Sequence, residues 1–233
     1  MQFHKNFQKR IATVTVAAGE GLVNLFNEIG VDYVVPGGQS MNPSVQDFMD
    51  AFNSVNAQNI IVMPNNSNVI LTAKQACSLY DKANVVIIPT KTVGEGYGAL
   101  TAMDVEGKSV EEVVEEMTQA VSETVTGFVA KANRSTVMDG VDVHDGDYLG
   151  FTDDNVLLDD CNRADTAARL ADGLGVKDFG VLLVMVGKEV LQSPDGKKEA
   201  EELRALYEKK YKGTEVIFMD GVQPIYDYIL VMQ

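Results

Sequence analysis

Short apolar runs alternate along the first half of the chain with segments whose apolar positions recur every three or four residues. These are the periods of buried strand and amphipathic helix. Ile11 to Ala17 reads as a strand rich in β-branched residues. A turn through Gly19 and Gly21 leads to a helix carrying Leu22, Leu25, Phe26 and Ile29, and Gly30 ends it. A second strand covers about Asp32 to Val35, and Val45, Phe48, Met49, Phe52 and Val55 then share one helical stripe. Strand three, Ile60 to Met63, precedes a helix from about Val69 to Tyr80. Strand four, Val85 to Ile88, precedes a helix from about Gly94 to Met103. A longer helix turns Val110, Val113, Val114, Met117 and Val121 inward and Glu111, Glu112, Glu115 and Glu116 to solvent. Short apolar strands separated by helices imply a parallel sheet covered on both faces.

The pattern changes near Thr126. Phe128 to Asn133 alternates like a strand, and Val141 to Leu158 reads as hairpin material turning at Gly146 and at Asp153-Asp154-Asn155. Helix and strand signals then resume: a helix from Arg163 to Leu174, a strand from Val181 to Val186 and a helix from Glu199 to Tyr211. A strand from Val216 to Met219 and an extended segment from Ile225 to Met232 complete the chain. The expected fold class is α/β: a parallel sheet with flanking helices, then a β-hairpin element and a second α/β subdomain. Residues 1–10 read as a tail or linker remnant, 11–125 as an α/β subdomain with polar loops at its strand ends, and 126–233 as the second subdomain.

The run Gly37-Gly38-Gln39-Ser40-Met41-Asn42-Pro43-Ser44 lies between a predicted strand and a predicted helix. Glycines let the backbone approach another group closely, and Asn42, Pro43 and Ser44 suit a helix start. Two further strands end in Asn65-Asn66-Ser67-Asn68 and in Thr90-Lys91-Thr92. In a parallel sheet these ends share one edge, where open α/β sheets place ligands. The candidate binding set is therefore Gly37, Gly38, Gln39, Ser40, Asn42, Asn65, Asn66, Ser67, Asn68, Thr90 and Thr92. Neutral amides and hydroxyls suit hydrogen bonding to a carboxylate, a phosphate or a partner's backbone, and are poor proton-transfer groups near neutral pH. No catalytic residue is assigned.

Charge narrows the partners. A formal net charge of −15 argues against a nucleic acid or an anionic membrane surface as main partner. No apolar run approaches the ~20 residues of a membrane span. Two cysteines, Cys77 and Cys161, form no disulfide framework and fit a cytoplasmic protein. No Gly-x-x-x-x-Gly-Lys-Ser/Thr run occurs, and Gly94, Gly96 and Gly98 have the wrong spacing for a dinucleotide fingerprint. His4 and His144 are the only histidines, with no nearby thiol or helically spaced ligand partner, so no metal is assigned. Asp139, Asp142, Asp145 and Asp147 do not match an EF-hand and read as turn residues. Neither Ser40 nor Ser67 has a histidine within sequence reach.

Three blocks taken together, in order and spacing, carry a resemblance. They are Gly37 to Ser44, Met63 to Ala76 and Ile88 to Thr92, supported by Gly146-Asp147-Tyr148-Leu149-Gly150 and Gly221-Val222-Gln223-Pro224-Ile225-Tyr226. From about Ile11 onward the chain resembles the C-terminal region of the large subunit of bacterial fatty acid kinase, a relative of dihydroxyacetone kinase. The resemblance implies a full-length protein with an N-terminal helical ATP-binding domain and a middle domain. Its C-terminal region would engage an acyl-binding DegV-family protein whose fatty acid is phosphorylated to an acyl phosphate, feeding phospholipid synthesis. This sequence has no helical domain with metal-binding aspartates before Ile11 and no Cys/His-rich middle segment. ATP and Mg are thus implied only for a domain outside this chain, and the chain alone is expected to lack kinase activity and to need no cofactor.

The resulting expectation is a non-catalytic partner-binding domain of a fatty acid kinase system, with a homodimer left open. The alternative is a protein or enzyme that binds a fatty acid or other anionic ligand in the strand-end crevice.

Overall fold

The structure, a computed structural model, describes residues 7–38 and 41–233. It forms two compact units. The first takes in the chain up to Ala18 and Val23–Ser122, and the second takes in Gly19–Leu22 and Glu123–Gln233.

In the first unit β1 (Lys9–Ala17), β2 (Tyr33–Pro36), β3 (Ala57–Met63) and β4 (Asn84–Ile87) form a sheet in the order β2-β1-β3-β4. Every neighbouring pair is parallel, with Val14 opposite Tyr33 on one side and Val62 on the other. The intervening helices are α1 (Glu20–Glu28), α2 (Val45–Ser54) and α3 (Ile70–Leu79), followed by α4 (Val93–Thr101) and α5 (Val110–Glu123). Phe48 and Phe52 of α2 and Ala73 and Ala76 of α3 pack with Val14, Val16, Ile60 and Val62 in one buried cluster. By strand alternation Ile61 and Met63, also fully buried, face the opposite side. Both faces of the sheet are covered, as the continuous apolar runs require. Helix α3 buries small alanines and leaves Leu71 and Leu79 exposed.

The second unit contains β5 (Val125–Lys131), β6 (Thr136–Met138), β7 (Val141–Val143), β8 (Tyr148–Phe151), β9 (Val156–Asp160) and α6 (Arg163–Gly173). It continues with β10 (Val181–Val186), α7 (Lys188–Leu191), α8 (Pro194–Lys210), β11 (Glu215–Asp220) and β12 (Tyr226–Met232). Its main sheet has the order β11-β10-β12-β5-β8-β9, in which only β10 and β11 run parallel. The β8–β9 hairpin extends this sheet, and β6–β7 forms a small separate ribbon. Strand β5 lies inside the sheet and is buried at every position from Thr126 to Ala130, on both faces. The core gathers Leu182, Val184, Leu230 and Met232 with Leu170, Leu203, Tyr207 and Tyr228. The buried Tyr207 hydroxyl is satisfied by donating to Ala167 O at 2.7 Å.

Helix α8 starts earlier than its apolar spacing predicts. Ser193 Oγ accepts from Gly196 N, and Pro194 occupies the first turn where its missing N–H costs nothing. That first turn is polar, so periodicity cannot mark it. Elements as short as α7 and β6 have no period to read. Among the described residues no helix is long and apolar enough to cross a membrane.

Candidate functional site

Parallel pairing of β1 to β4 brings the three predicted segments to one edge of the first sheet. The strands stay parallel but the direction of connection across the sheet reverses between β1 and β3, because β1 connects outward to β2 and β3 connects outward to β4. Such a switch point opens the crevice where α/β sheets bind ligands. Here Asn65, after β3, reaches across to the end of β1. Its Nδ2 donates to Thr15 Oγ1 at 2.7 Å and to Val16 O at 3.0 Å, both at the end of β1. Its backbone N donates to Thr90 Oγ1 at 2.9 Å, and Thr90 Oγ1 donates to Asn65 Oδ1 at 2.8 Å. Thr15 Oγ1 completes the set by donating to Met63 O at 3.2 Å. Both threonines are 0% exposed, so these groups satisfy one another away from water.

Asn65 reaches this position through a left-handed backbone, φ 56°. Asparagine tolerates that region better than most residues with a side chain. The amide also needs room from α4. A Cβ on Gly96 would lie 2.0 Å from Asn65 Oδ1, so the helix can approach only with glycine there. This gives Gly96 a packing role. Gly96, Thr15 and the Val16 carbonyl escaped the sequence reading. The available signal was the pair of hydroxyls at Thr13 and Thr15 among the apolar residues of β1.

The other candidates serve mostly as local scaffolding. Gly37 N donates to Ala17 O at 3.1 Å, and a Cβ on Gly37 would strike the Pro43 ring at 2.5 Å. Gly38 and Met41 pair backbone to backbone. Gln39 and Ser40 lie outside the described residues. Ser44 caps α2 in a reciprocal box: Asp47 N donates to Ser44 Oγ at 3.2 Å and Ser44 N to Asp47 Oδ2 at 2.7 Å. The Ser44 hydroxyl, donating to Asp47 Oδ2 at 2.7 Å, and then the Ser44 N–H hold the Asp47 carboxyl below its ordinary value. Asn66, nearly buried, accepts from Asn68 N at 2.8 Å. Thr92 caps α4 by accepting from Glu95 N at 3.0 Å, and Lys91 N donates to Glu95 Oε2 at 2.6 Å. Asn42, Ser67 and Asn68 are exposed, as are Met41 (60%) and Leu71 (77%).

A second, part-buried polar network lies in the other unit, and sequence spacing gives no sign of it. Arg163 donates from Nε to Glu199 Oε1 at 2.8 Å and from Nη2 to Glu199 Oε2 at 3.3 Å. Its Nη1 reaches Asp227 Oδ1 at 3.4 Å, Tyr228 OH donates to Glu199 Oε1 at 2.8 Å, and the guanidinium sits over the Tyr148 ring. Burial alone opposes the Arg163 charge, but Glu199 and Asp227 outweigh it and raise its pKa. Burial pushes the Asp227 carboxyl up against the pull of Arg163. The network ties α6, α8 and β12 together. Elsewhere, burial pushes the Cys77 thiol up to about 11, which marks an inert side chain.

The sequence profile of the FakA-like C-terminal family, named for fatty acid kinase, matches residues 12–233. The chain belongs to that family. Protein YloV of Bacillus subtilis, a relative, is 37% identical over 217 residues, covering 93% of this chain and 38% of YloV. The chain thus spans well under half the length of that relative. Its fold is that of DegV proteins. A DegV family protein from Corynebacterium glutamicum matches with a TM-score of 0.68 at 11% identity, covering 96% of this chain and 97% of that one. The Streptococcus pneumoniae Fatty Acid Kinase B3 protein, solved loaded with linoleic acid, matches with a TM-score of 0.65 at 13% identity, covering 96% and 99%. At such identities the likeness is one of fold.

Proposed function

We propose that this domain is the partner-binding part of a fatty acid kinase, docking an acyl-binding DegV-type protein so that an ATP-binding domain beyond this chain can phosphorylate its fatty acid. The observation that carries the reading is the internally hydrogen-bonded Asn65 at the switch point of the first sheet. The amide of Asn65 is spent on Thr15, Val16 and Thr90 instead of being left for a ligand. What the same edge presents outward includes apolar and neutral groups, Met41, Asn42, Ser67, Asn68 and Leu71, beside the charged Lys91 and Asp47. Such a surface suits recognition of another protein, where buried apolar anchors supply most of the affinity. Family membership and the DegV-like fold support the identity of the partner class.

Surface plasmon resonance with a purified, fatty-acid-loaded DegV-type protein tests this directly. Saturable binding, without ATP hydrolysis by the chain alone, is the expected result. Absence of binding, together with a fatty acid co-purifying with the chain in native mass spectrometry, would establish the small-ligand reading in its place.

A further inference from the structure

Three ligand-type atoms converge in the second unit. The Nδ1 of His144 and one carboxylate oxygen each from Asp147 and Asp159 all lie within 4.8 Å of one another. His144 Nδ1 is 2.8 Å from Asp159 Oδ2 and 3.9 Å from Asp147 Oδ2. Around a single ion bound at about 2.0–2.2 Å, tetrahedral ligands stand about 3–3.5 Å apart. The two His144 separations lie on either side of that value.

Two separate parts of the chain supply these groups. His144 and Asp147 belong to the turn between β7 and β8, and Asp159 lies on β9, the edge strand of the main sheet. The turn is fixed by its backbone: Asp147 N donates to His144 O at 3.2 Å, Gly146 N to Ala132 O at 3.0 Å and Ala132 N to Asp147 O at 2.7 Å. The Asp159 side chain is only 7% exposed, whereas the His144 ring is 66% exposed. One ligand is therefore anchored in the fold, and the imidazole faces solvent from which an ion can arrive. Asp139, Asp142 and Asp145 crowd the same stretch and draw cations towards it.

We propose that His144, Asp147 and Asp159 form a binding site for a divalent first-row transition metal, with Zn²⁺ the best fit. One imidazole nitrogen and two carboxylates match zinc's ligand preference and leave a fourth position for water. Calcium, which takes six to eight oxygens, fits less well. The ion would clip the β7–β8 turn onto the edge strand. Sequence spacing hides the site, because Asp159 follows His144 only after a full hairpin and Asp147 is placed by a turn, not a helix.

Zinc titration into the metal-free chain by isothermal calorimetry, repeated on His144→Gln and Asp159→Asn, is the test. One equivalent should bind to the parent, with affinity at least tenfold weaker in each variant and an upward shift in thermal midpoint only for the parent. Circular dichroism of the variants confirms that they fold. Failure of the parent to bind zinc would leave His144 and Asp159 as an ion pair and overturn the proposal. Zinc binding that the two substitutions leave unchanged would place the metal elsewhere and overturn it equally.

Discussion

Asn65 and Thr90 hold each other by reciprocal hydrogen bonds: the Asn65 backbone N–H donates to Thr90 Oγ1 and the Thr90 hydroxyl donates back to Asn65 Oδ1. The end of β3 is thereby tied to the loop after β4, and the remaining amide hydrogens tie it to β1. Thr90→Val keeps the shape and deletes the hydroxyl. It leaves a buried donor and acceptor unmet, which costs about 1–3 kcal/mol. Urea denaturation should show that loss, and Thr90→Ser should recover most of it.

Gly96→Ala should also destabilise the domain, against the ordinary preference of helices for alanine by about 0.5–1 kcal/mol. The reason is the Asn65 amide, 2.0 Å from where the new Cβ would sit. Combining Gly96→Ala with Asn65→Gly removes the clash and keeps a residue that tolerates the left-handed backbone. In that background the alanine should be neutral or stabilising, as a double-mutant cycle will reveal.

The capping box at Ser44 and Asp47 gives a pH signature. Asp47 has a folded pKa lowered from its ordinary 3.8, chiefly by the Ser44 hydroxyl and then by the Ser44 backbone N–H. The native state thus favours the charged form. Its contribution is complete above 3.8 and is lost as pH falls through the lowered folded value. Asp47→Ala should cost about 0.5–1 kcal/mol at neutral pH. That difference from the parent should shrink towards zero in strong acid, measured by denaturant titration at each pH.

Arg163→Met should be among the most damaging single changes in the second unit. It strands Glu199 and Asp227 beside each other with no cation, and breaking a buried ion pair costs about 3–5 kcal/mol. Glu199 keeps some solvent contact, so the lower end is expected. Thermal or urea unfolding reports the loss, and replacing all three residues by apolar ones should restore much of it.

Leu71→Asp tests the docking edge without touching the fold. Leu71 is 77% exposed, so unfolding stability should stay within about 0.5 kcal/mol of the parent. Affinity for the DegV-type partner should fall at least tenfold by surface plasmon resonance.

Periodicity was enough to read the four strands and intervening helices of the first sheet, because the central strands β1 and β3 are buried on both faces and helices such as α2 carry an apolar stripe. It also located the edge where Gly37, Asn65 and Thr90 gather, since parallel strands with helical crossovers leave their ends no other arrangement. Hydrogen-bond partners are another matter. Asn65 reads the same in sequence whether its amide faces a ligand or Thr15 and Thr90, and only the left-handed backbone at that residue, with Gly96 opposite, sends it inward. The Arg163 network and the His144, Asp147 and Asp159 cluster were equally hidden. Their members are distant in the chain or joined by a turn, and charges carry no periodic trace of the partner that folding gives them. Local sequence decides which segments become strand or helix, through burial that repeats along the chain. Tertiary packing decides which polar groups are spent inside the protein and which are left for another molecule.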